Sequence, residues 1–155
     1  MEALTTALAR LSLRARRCAE SLAAVAAVAT EPQWRAELAH RANLQHCAAA
    51  ELAARAGIPD EDADDPPVSL REIPPFLAGK QGLIDFAAQQ AARAAAAYGD
   101  LLREPLDDVE LRLLLAHYYR GATELQRLLE QRAMDDVERS HGAERAAHAT
   151  PPLHR

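Results

Sequence analysis

The stretch IPDEDADDPPVSLREIPP, residues 58–75, decides the topology because it is the one long interruption in an otherwise helix-forming chain. Acidic residues fill positions 60–65 except for one alanine, and prolines stand at 59, 66, 67, 74 and 75. Proline holds the residue before it in extended backbone, so we expect at most one helical turn here, at SLRE (residues 69–72). Fully extended, the segment could span about 60 Å, which is enough to cross the length of a helical bundle.

The composition on either side of this stretch predicts an all-α protein. About a quarter of the 155 residues are alanine, aromatic residues make up only 4%, and the strong helix formers Ala, Leu, Arg, Glu and Gln dominate. A chain of this length is expected to form one domain and to bury one continuous core without disulfides or a structural metal.

Four helices are predicted at residues 2–29, 31–56, 76–103 and 107–133, and each carries an apolar stripe at steps of three and four. Thr30 and Gln33 have the spacing of a capping box, Gly57 is typical of a helix C-terminus, and Asp107 with Glu110 is expected to cap helix four. The inward stripes are Leu4, Leu8, Leu11, Ala15, Cys18, Leu22 and Val25; Trp34, Leu38, Ala42, Gln45, Ala49, Leu52 and Ala56; Leu83, Ala87, Gln90, Ala94, Ala97 and Leu101; and Leu111, Leu115, Tyr118, Ala122, Leu125 and Leu129.

The connections indicate how the helices are ordered. Those after helices one and three are very short, so each joins antiparallel neighbours. If segment 58–75 stayed at one end, the order would be up-down-up-down; we favour a loop that crosses the bundle and joins two antiparallel hairpins. Residues 1–133 are then a four-helix bundle, and residues 134–155 are expected to be a flexible C-terminal tail.

Two segments resemble a known family. AELAARAG (residues 50–57) ends a helix before the long loop, and AAAAYGDLLREPLDDVELRLLL (residues 94–115) joins an alanine-tyrosine helix end to a leucine-rich helix through a short acidic-proline turn. With these features, residues 1–133 resemble the bacterial ferritin-like four-helix-bundle proteins of unknown function, which are related in shape to rubrerythrin. The resemblance implies a ferritin-like fold and no particular activity.

A metal site was tested against the ligand set of di-iron bundles, which is a Glu from each of two helices and an E-x-x-H pair from each of the other two. Glu37 and His40 form one such pair, and His117 lies on helix four, but Leu114 stands where a second pair needs Glu. At about 100° per residue, Glu37 and His40 point away from the Leu38 stripe. We therefore predict no metal or other cofactor, and read these residues as solvent-facing; a partner interface or an iron or manganese site are the alternatives.

Two amides are placed on the inner stripes of helices two and three, at Gln45 and Gln90. We expect them to bond each other or Tyr118 and to fix the helix register, as buried polar residues do in coiled coils. A variant of a central ligand site is the alternative.

Charge and cysteine usage narrow the partners. A net charge of −5 argues against nucleic-acid binding, and no segment is apolar enough to span a membrane. Cys18 and Cys47 match no zinc or redox pattern, which favours reduced thiols in the cytoplasm. Leu44 and Leu113 are predicted to face outward, so we expect a homodimer or a protein partner.

The residue patterns identify no enzyme class. They favour a non-catalytic ferritin-like bundle of unknown role that works through self-association or partner binding. Two alternatives stay open: a metal-binding oxidase or storage protein that uses iron or manganese, and a helical adaptor or chaperone that offers a groove to a client helix.

Overall fold

Four α-helices make up the part of the chain that the structure describes. The structure is a computed structural model, and it describes residues 2–58 and 79–148. Helix α1 spans Glu2–Val28, α2 spans Pro32–Arg55, α3 spans Lys80–Leu102 and α4 spans Val109–His148. No strand occurs within these ranges, so the prediction of an all-α fold with four helices is confirmed for them. None of the four described helices has an apolar stretch long enough to cross a bilayer.

The buried faces of the helices are the predicted stripes. All stripe positions are buried except four that are half-buried, namely Leu4, Ala56, Ala97 and Tyr118. Steps of three and four keep a side chain on the same face because the helix has about 3.6 residues per turn. Burial of these apolar stripes is the main force that holds the helices together.

Two large core clusters occupy the two ends of the bundle. The turn-end core contains Leu8 and Leu11 of α1, Leu52 of α2, Ala94, Ala95, Tyr98 and Leu101 of α3, and Leu111, Leu115 and Ala122 of α4. The Trp34-end core contains Cys18, Leu22 and Val25 of α1, Ala29, Trp34, Leu38 and Ala42 in and before α2, Leu83, Ile84, Ala87 and Ala91 of α3, and Leu125 and Leu129 of α4. Helices α1 and α4 therefore enter the turn-end core with their N-terminal halves, and α2 and α3 enter it with their C-terminal halves.

Three helix pairs pack closely: α1 with α2, α3 with α4, and α1 with α3. Small residues allow the close approach of α1 and α2, where Ala15 packs with Ala48 and Ala49. The hydroxyl of Ser12 donates a 2.7 Å hydrogen bond to the carbonyl of Ala49 across this interface. The described contacts between α2 and α4 are instead made by long side chains, and we call this boundary the α2–α4 seam.

Both ends of α2 follow from local chemistry. The helix begins after Glu31, whose side chain makes no capping hydrogen bond, with Pro32 in the first turn. The predicted capping box of Thr30 and Gln33 is therefore wrong, and the fixed φ of proline starts the helix instead. The predicted stop at Gly57 is confirmed. Gly57 has a φ of 77°, and the next amide, of Ile58, donates a 2.9 Å bond to the carbonyl of Ala53.

The cap of helix α4 lies one residue later than predicted, and the helix continues past its predicted end. The cap is Asp108, whose Oδ1 accepts a 3.1 Å bond from the amide of Leu111, so the prediction of Asp107 is wrong. The helix continues beyond residue 133 to His148. Pairs one turn apart support this extension, since Gln131 bonds Asp135 at 3.0 Å.

Some predicted features lie outside the described residues. They are residues 59–75 of the long loop, residues 76–78 at the predicted start of helix three, and residues 149–155 of the tail. The predicted flexibility of residues 134–155 stays a prediction.

Candidate functional site

Glu37 and His40 lie on the side of α2 that faces away from the buried stripe. His40 is exposed, and Glu37 is half-buried. The Nε of Arg41 donates a 3.0 Å hydrogen bond to Oε1 of Glu37, so this carboxylate already has a cationic partner one turn along the helix. The E-x-x-H spacing thus places an ion-paired acid beside a solvent-facing imidazole.

His117, the third metal candidate, is on another helix. It is exposed on α4, with its ring 5.7 Å from the ring of Tyr118. Across residues 2–58 and 79–148, no three or more His, Cys, Asp and Glu side chains are grouped so that they could hold a metal ion. The structure therefore does not bring the three candidates together into a ligand set.

Both predicted amides are buried, but they are not the bonded pair that we expected. Gln45 and Gln90 are 8% and 5% exposed. Oε1 of Gln45 is buried and accepts no hydrogen bond from a described residue. A buried carbonyl without a donor reduces stability, typically by about 1–3 kcal/mol. The proposed bond to Gln45 Oε1 from Gln90 or Tyr118 is therefore absent.

Tyr98 is a buried polar residue that the stripe analysis missed. Its side chain is fully buried, its hydroxyl has no partner among the described residues, and its ring lies 6.0 Å from that of Tyr118 at 43°. Burial raises the pKa of Tyr98, and nearby Cys18 and Tyr118 raise it further. The sequence spacing would have placed Tyr98 on the inner stripe of helix three, because Tyr98 follows Ala94 by four residues and precedes Leu101 by three.

Cys18 is buried in the same way. Burial raises the pKa of its thiol from the ordinary value of 9.0 to about 12. The thiol therefore stays protonated at neutral pH, and a protonated thiol is neither a nucleophile nor a metal ligand. The prediction that Cys18 is a small apolar core residue agrees with this environment.

The α2–α4 seam is closed at the Trp34 end by one arginine. The guanidinium carbon of Arg132 lies 4.8 Å from the ring centre of Trp34, and its nitrogens pair with Glu31 and Asp136. The hydrogen bond from Arg132 lowers the pKa of Glu31. The apolar pattern does not indicate a role for Arg132, because Arg132 stands at the predicted end of helix four, where the apolar spacing is no longer regular.

The same seam is bridged near the turn end. The Nη2 atom of Arg55 lies 3.5 Å from Oε1 of Glu110, and this ion pair joins the end of α2 to the start of α4. Between these two bridges Tyr118 packs against the small cluster formed by Ala15 of α1 with Ala48 and Ala49 of α2. Three separate side-chain contacts therefore hold two helices whose backbones do not pack closely.

An open groove of about 940 Å³ lies at the turn end, and we call it the turn-end groove. It lies between the first turns of α1, the last turns of α3 and the turn that joins α3 to α4. Such a volume is in the range of ligand-binding clefts, about 300–1,000 Å³. Its apolar floor is formed by Leu4, Ala7, Leu11, Ala97, Leu101 and Leu106.

The rim of the turn-end groove is acidic. Asp100, Glu104, Asp107 and Asp108 line it, with Arg10 as the cation on α1. Two of these acids already have partners, since Asp100 bonds Arg103 at 2.8 Å and Asp108 caps α4. A further cation, Arg112, bonds the carbonyls of Leu102 and Glu104 in the same turn. The groove thus combines an apolar floor with a rim on which the carboxylates of Glu104 and Asp107 have no cationic partner among the described residues.

Comparison with known proteins gives no relative for this chain. No protein-family model matches it, and neither curated proteins nor solved structures show a significant match.

Proposed function

We propose that this chain is a non-catalytic helical bundle of ferritin-like helix order that acts by self-association through the face formed by α2 and α4. The helix order is supported by the two core clusters. The last turns of α2 share the turn-end core with the start of α4, whereas the first turns of α3 are in the Trp34-end core. These placements put Ile58 and Gly79 at opposite ends of the bundle, which supports the crossover order of the ferritin-like arrangement.

Exposed large apolar side chains on α2 and α4 are the observation that carries the proposal. Leu113 is 66% exposed, Val109 is 70% exposed and Leu44 is 48% exposed. Exposed apolar residues scattered singly are ordinary on a protein surface, whereas several on one face indicate a contact surface. The proposal therefore depends on whether these residues share a face.

Helix geometry places Leu44 and Leu113 on the same side of the molecule. Around α2, Leu44 lies within about 20° of Arg55, the residue that contacts α4. Around α4, Leu113 lies about 60° from Glu110, the partner of Arg55. The two leucines therefore flank the α2–α4 seam.

The charges on this face favour a second copy of the chain as the partner. Arg41 pairs with Glu37, and Arg55 pairs with both Glu51 and Glu110, so acids and bases alternate across the face. A two-fold dimer brings a surface against itself, which requires a patch that complements its own charges. A patch with both signs meets that requirement, whereas a single-sign patch would repel its copy.

Analytical ultracentrifugation over a range of concentrations tests the proposal. We expect a concentration-dependent dimer for the unmodified chain. The double substitution Leu44→Glu/Leu113→Glu should weaken association at least about tenfold, because each carboxylate would be buried in the interface. The matched control is Leu13→Glu/Val28→Glu, at two α1 residues of similar exposure, 39% and 41%. A chain that is monomeric at every concentration, or a control that dissociates equally, would rule out this interface.

A further inference from the structure

We propose that the turn-end groove binds a cationic amphipathic helix of a partner protein. The groove is built on α1, α3, the turn that joins α3 to α4, and Leu111 in the first turn of α4. Leu111 lies about 160° around α4 from Leu113, so the groove and the proposed dimer face use different sides of this helix. The inference does not depend on self-association, and either can fail without the other.

The floor of the groove has the periodicity of a helix-binding surface. On α1 the floor residues are Leu4, Ala7 and Leu11, at steps of three and four, which leaves a strip about two turns long. Opposite it lie Ala97 and Leu101 of α3, one turn apart. The short side chains of the two alanines leave room for the backbone of a docked helix to approach, and the leucines supply most of the apolar surface.

Leu4, Ala7, Ala97 and Leu106 are half-buried, so the apolar floor is in part reached by solvent. A groove that is apolar along two helix turns fits a ligand with apolar residues at i, i+3 or i+4, and i+7. An elongated peptide matches this open, strip-like form better than a compact small molecule, which binds in enclosed clefts.

Charge selects the class of helix. Glu104 and Asp107 are exposed on the rim, in the turn between α3 and α4, where neither forms an ion pair with a described residue. The nearby cations are already engaged, since Arg103 pairs with Asp100 and Arg112 bonds the carbonyls of Leu102 and Glu104, while Arg10 lines the opposite side on α1. Lysine or arginine on the flank of a docked helix would face these carboxylates, while an acidic helix would be repelled.

Fluorescence anisotropy with designed peptides tests the proposal. The probe is a labelled amphipathic peptide of about 14 residues with leucine at helical spacing and lysine on its polar face; a second peptide has glutamate in place of every lysine. We expect saturable binding of the lysine peptide, binding of the glutamate peptide at least about tenfold weaker, and loss of the difference at about 0.5 M salt.

Variants of the full chain locate the site. Glu104→Lys/Asp107→Lys should weaken the lysine peptide at least about tenfold and strengthen the glutamate peptide, because the rim charge is reversed. Ala97→Trp should abolish binding of both peptides, because the indole would fill the groove. Circular dichroism checks that the Ala97→Trp protein is folded. If it is not, the two rim substitutions, which are at exposed positions, still test the proposal. Glu124→Lys/Glu138→Lys, at two exposed α4 positions away from the groove, is the matched control.

The dimer-face variant Leu44→Glu/Leu113→Glu should retain peptide binding, which separates this site from the proposed self-association. Absence of saturable binding, equal affinity for the lysine and glutamate peptides, or an equal effect of the rim and control substitutions would each overturn the proposal.

Discussion

Tyr98 and Cys18 couple the stability of the bundle to alkaline pH. Both are buried, and burial raises the pKa of each above its ordinary value, 10.0 for the phenol and 9.0 for the thiol, to about 12 for Cys18. The folded state therefore keeps protons that the unfolded chain releases as the pH rises. By linkage, the free energy of unfolding does not depend on these groups near neutral pH and falls above about pH 9, by up to about 1.4 kcal/mol per pH unit for each group.

The substitution Tyr98→Phe isolates one of the two contributions. We expect its free energy of unfolding to lie within about 1 kcal/mol of the unmodified chain at neutral pH, since the lost hydroxyl has no partner among the described residues. Above about pH 10 its stability should fall less steeply, because one titrating group is gone. Urea unfolding across the pH range, with Tyr119→Phe at an exposed position as the control, measures this. Parallel curves for all three proteins would contradict it.

Gly57 shows how the C-terminal end of helix α2 depends on backbone geometry. Its φ of 77° lies in the left-handed region, and a Cβ built there meets nothing within 4 Å. The substitution Gly57→Ala should therefore act through backbone strain alone and lower the free energy of unfolding by about 1 kcal/mol. Thermal and urea unfolding measure the change.

Gly142 offers a control for Gly57→Ala, since it is a helical glycine of α4 with open space around its Cβ position and no positive φ. There, Gly142→Ala should be neutral or stabilise by up to about 1 kcal/mol. Equal effects at the two glycines would show that the left-handed geometry of Gly57 carries no energetic weight.

Helix interiors were predictable from the sequence and helix ends only in part. Leucine and alanine at steps of three and four identify a buried face, because nothing but the helical period produces that spacing. The glycine that ends α2 was equally readable. The caps at Thr30 and Asp107 were placed wrongly, because neighbouring Thr, Glu and Asp residues all have capping chemistry and the choice depends on the backbone path. The length of α4 was underestimated because exposed polar pairs extend it without an apolar stripe.

At the scale of the whole molecule, the sequence predicted which residues fill the core, but it did not predict the turn-end groove or the contacts across the α2–α4 seam. Outward placement of Glu37 and His40 followed from angles around one helix. The turn-end groove did not, because it is formed by α1, α3 and a turn that are distant in sequence. Nor did the contact of Trp34 with Arg132, which joins residues that are almost a hundred positions apart.

Arg132 is expected to hold α4 against α2, because α2 and α4 have no closely packed backbone interface to replace it. Its side chain is only 14% exposed, lies over the Trp34 ring and pairs with Glu31 and Asp136. The substitution Arg132→Ala removes the nearer cation from both acids and the only described cation over the ring. We expect it to lower the free energy of unfolding by roughly 1–3 kcal/mol, through the lost contact with the Trp34 ring and with the partly buried Asp136.

The matched control for Arg132→Ala is Arg139→Ala, because Arg139 faces the same two acids at 3.8 and 3.9 Å but is 66% exposed. Arg139→Ala should lower the free energy of unfolding by no more than about 1 kcal/mol. Trp34 is the single tryptophan of the chain, so its fluorescence reports directly on this end of the seam. In the folded Arg132→Ala protein its emission should shift to longer wavelength as water reaches the ring, while Arg139→Ala leaves it unchanged. An unshifted emission together with equal losses of stability in the two variants would mean that the seam is held by its other contacts, at Tyr118 and at the Arg55–Glu110 pair.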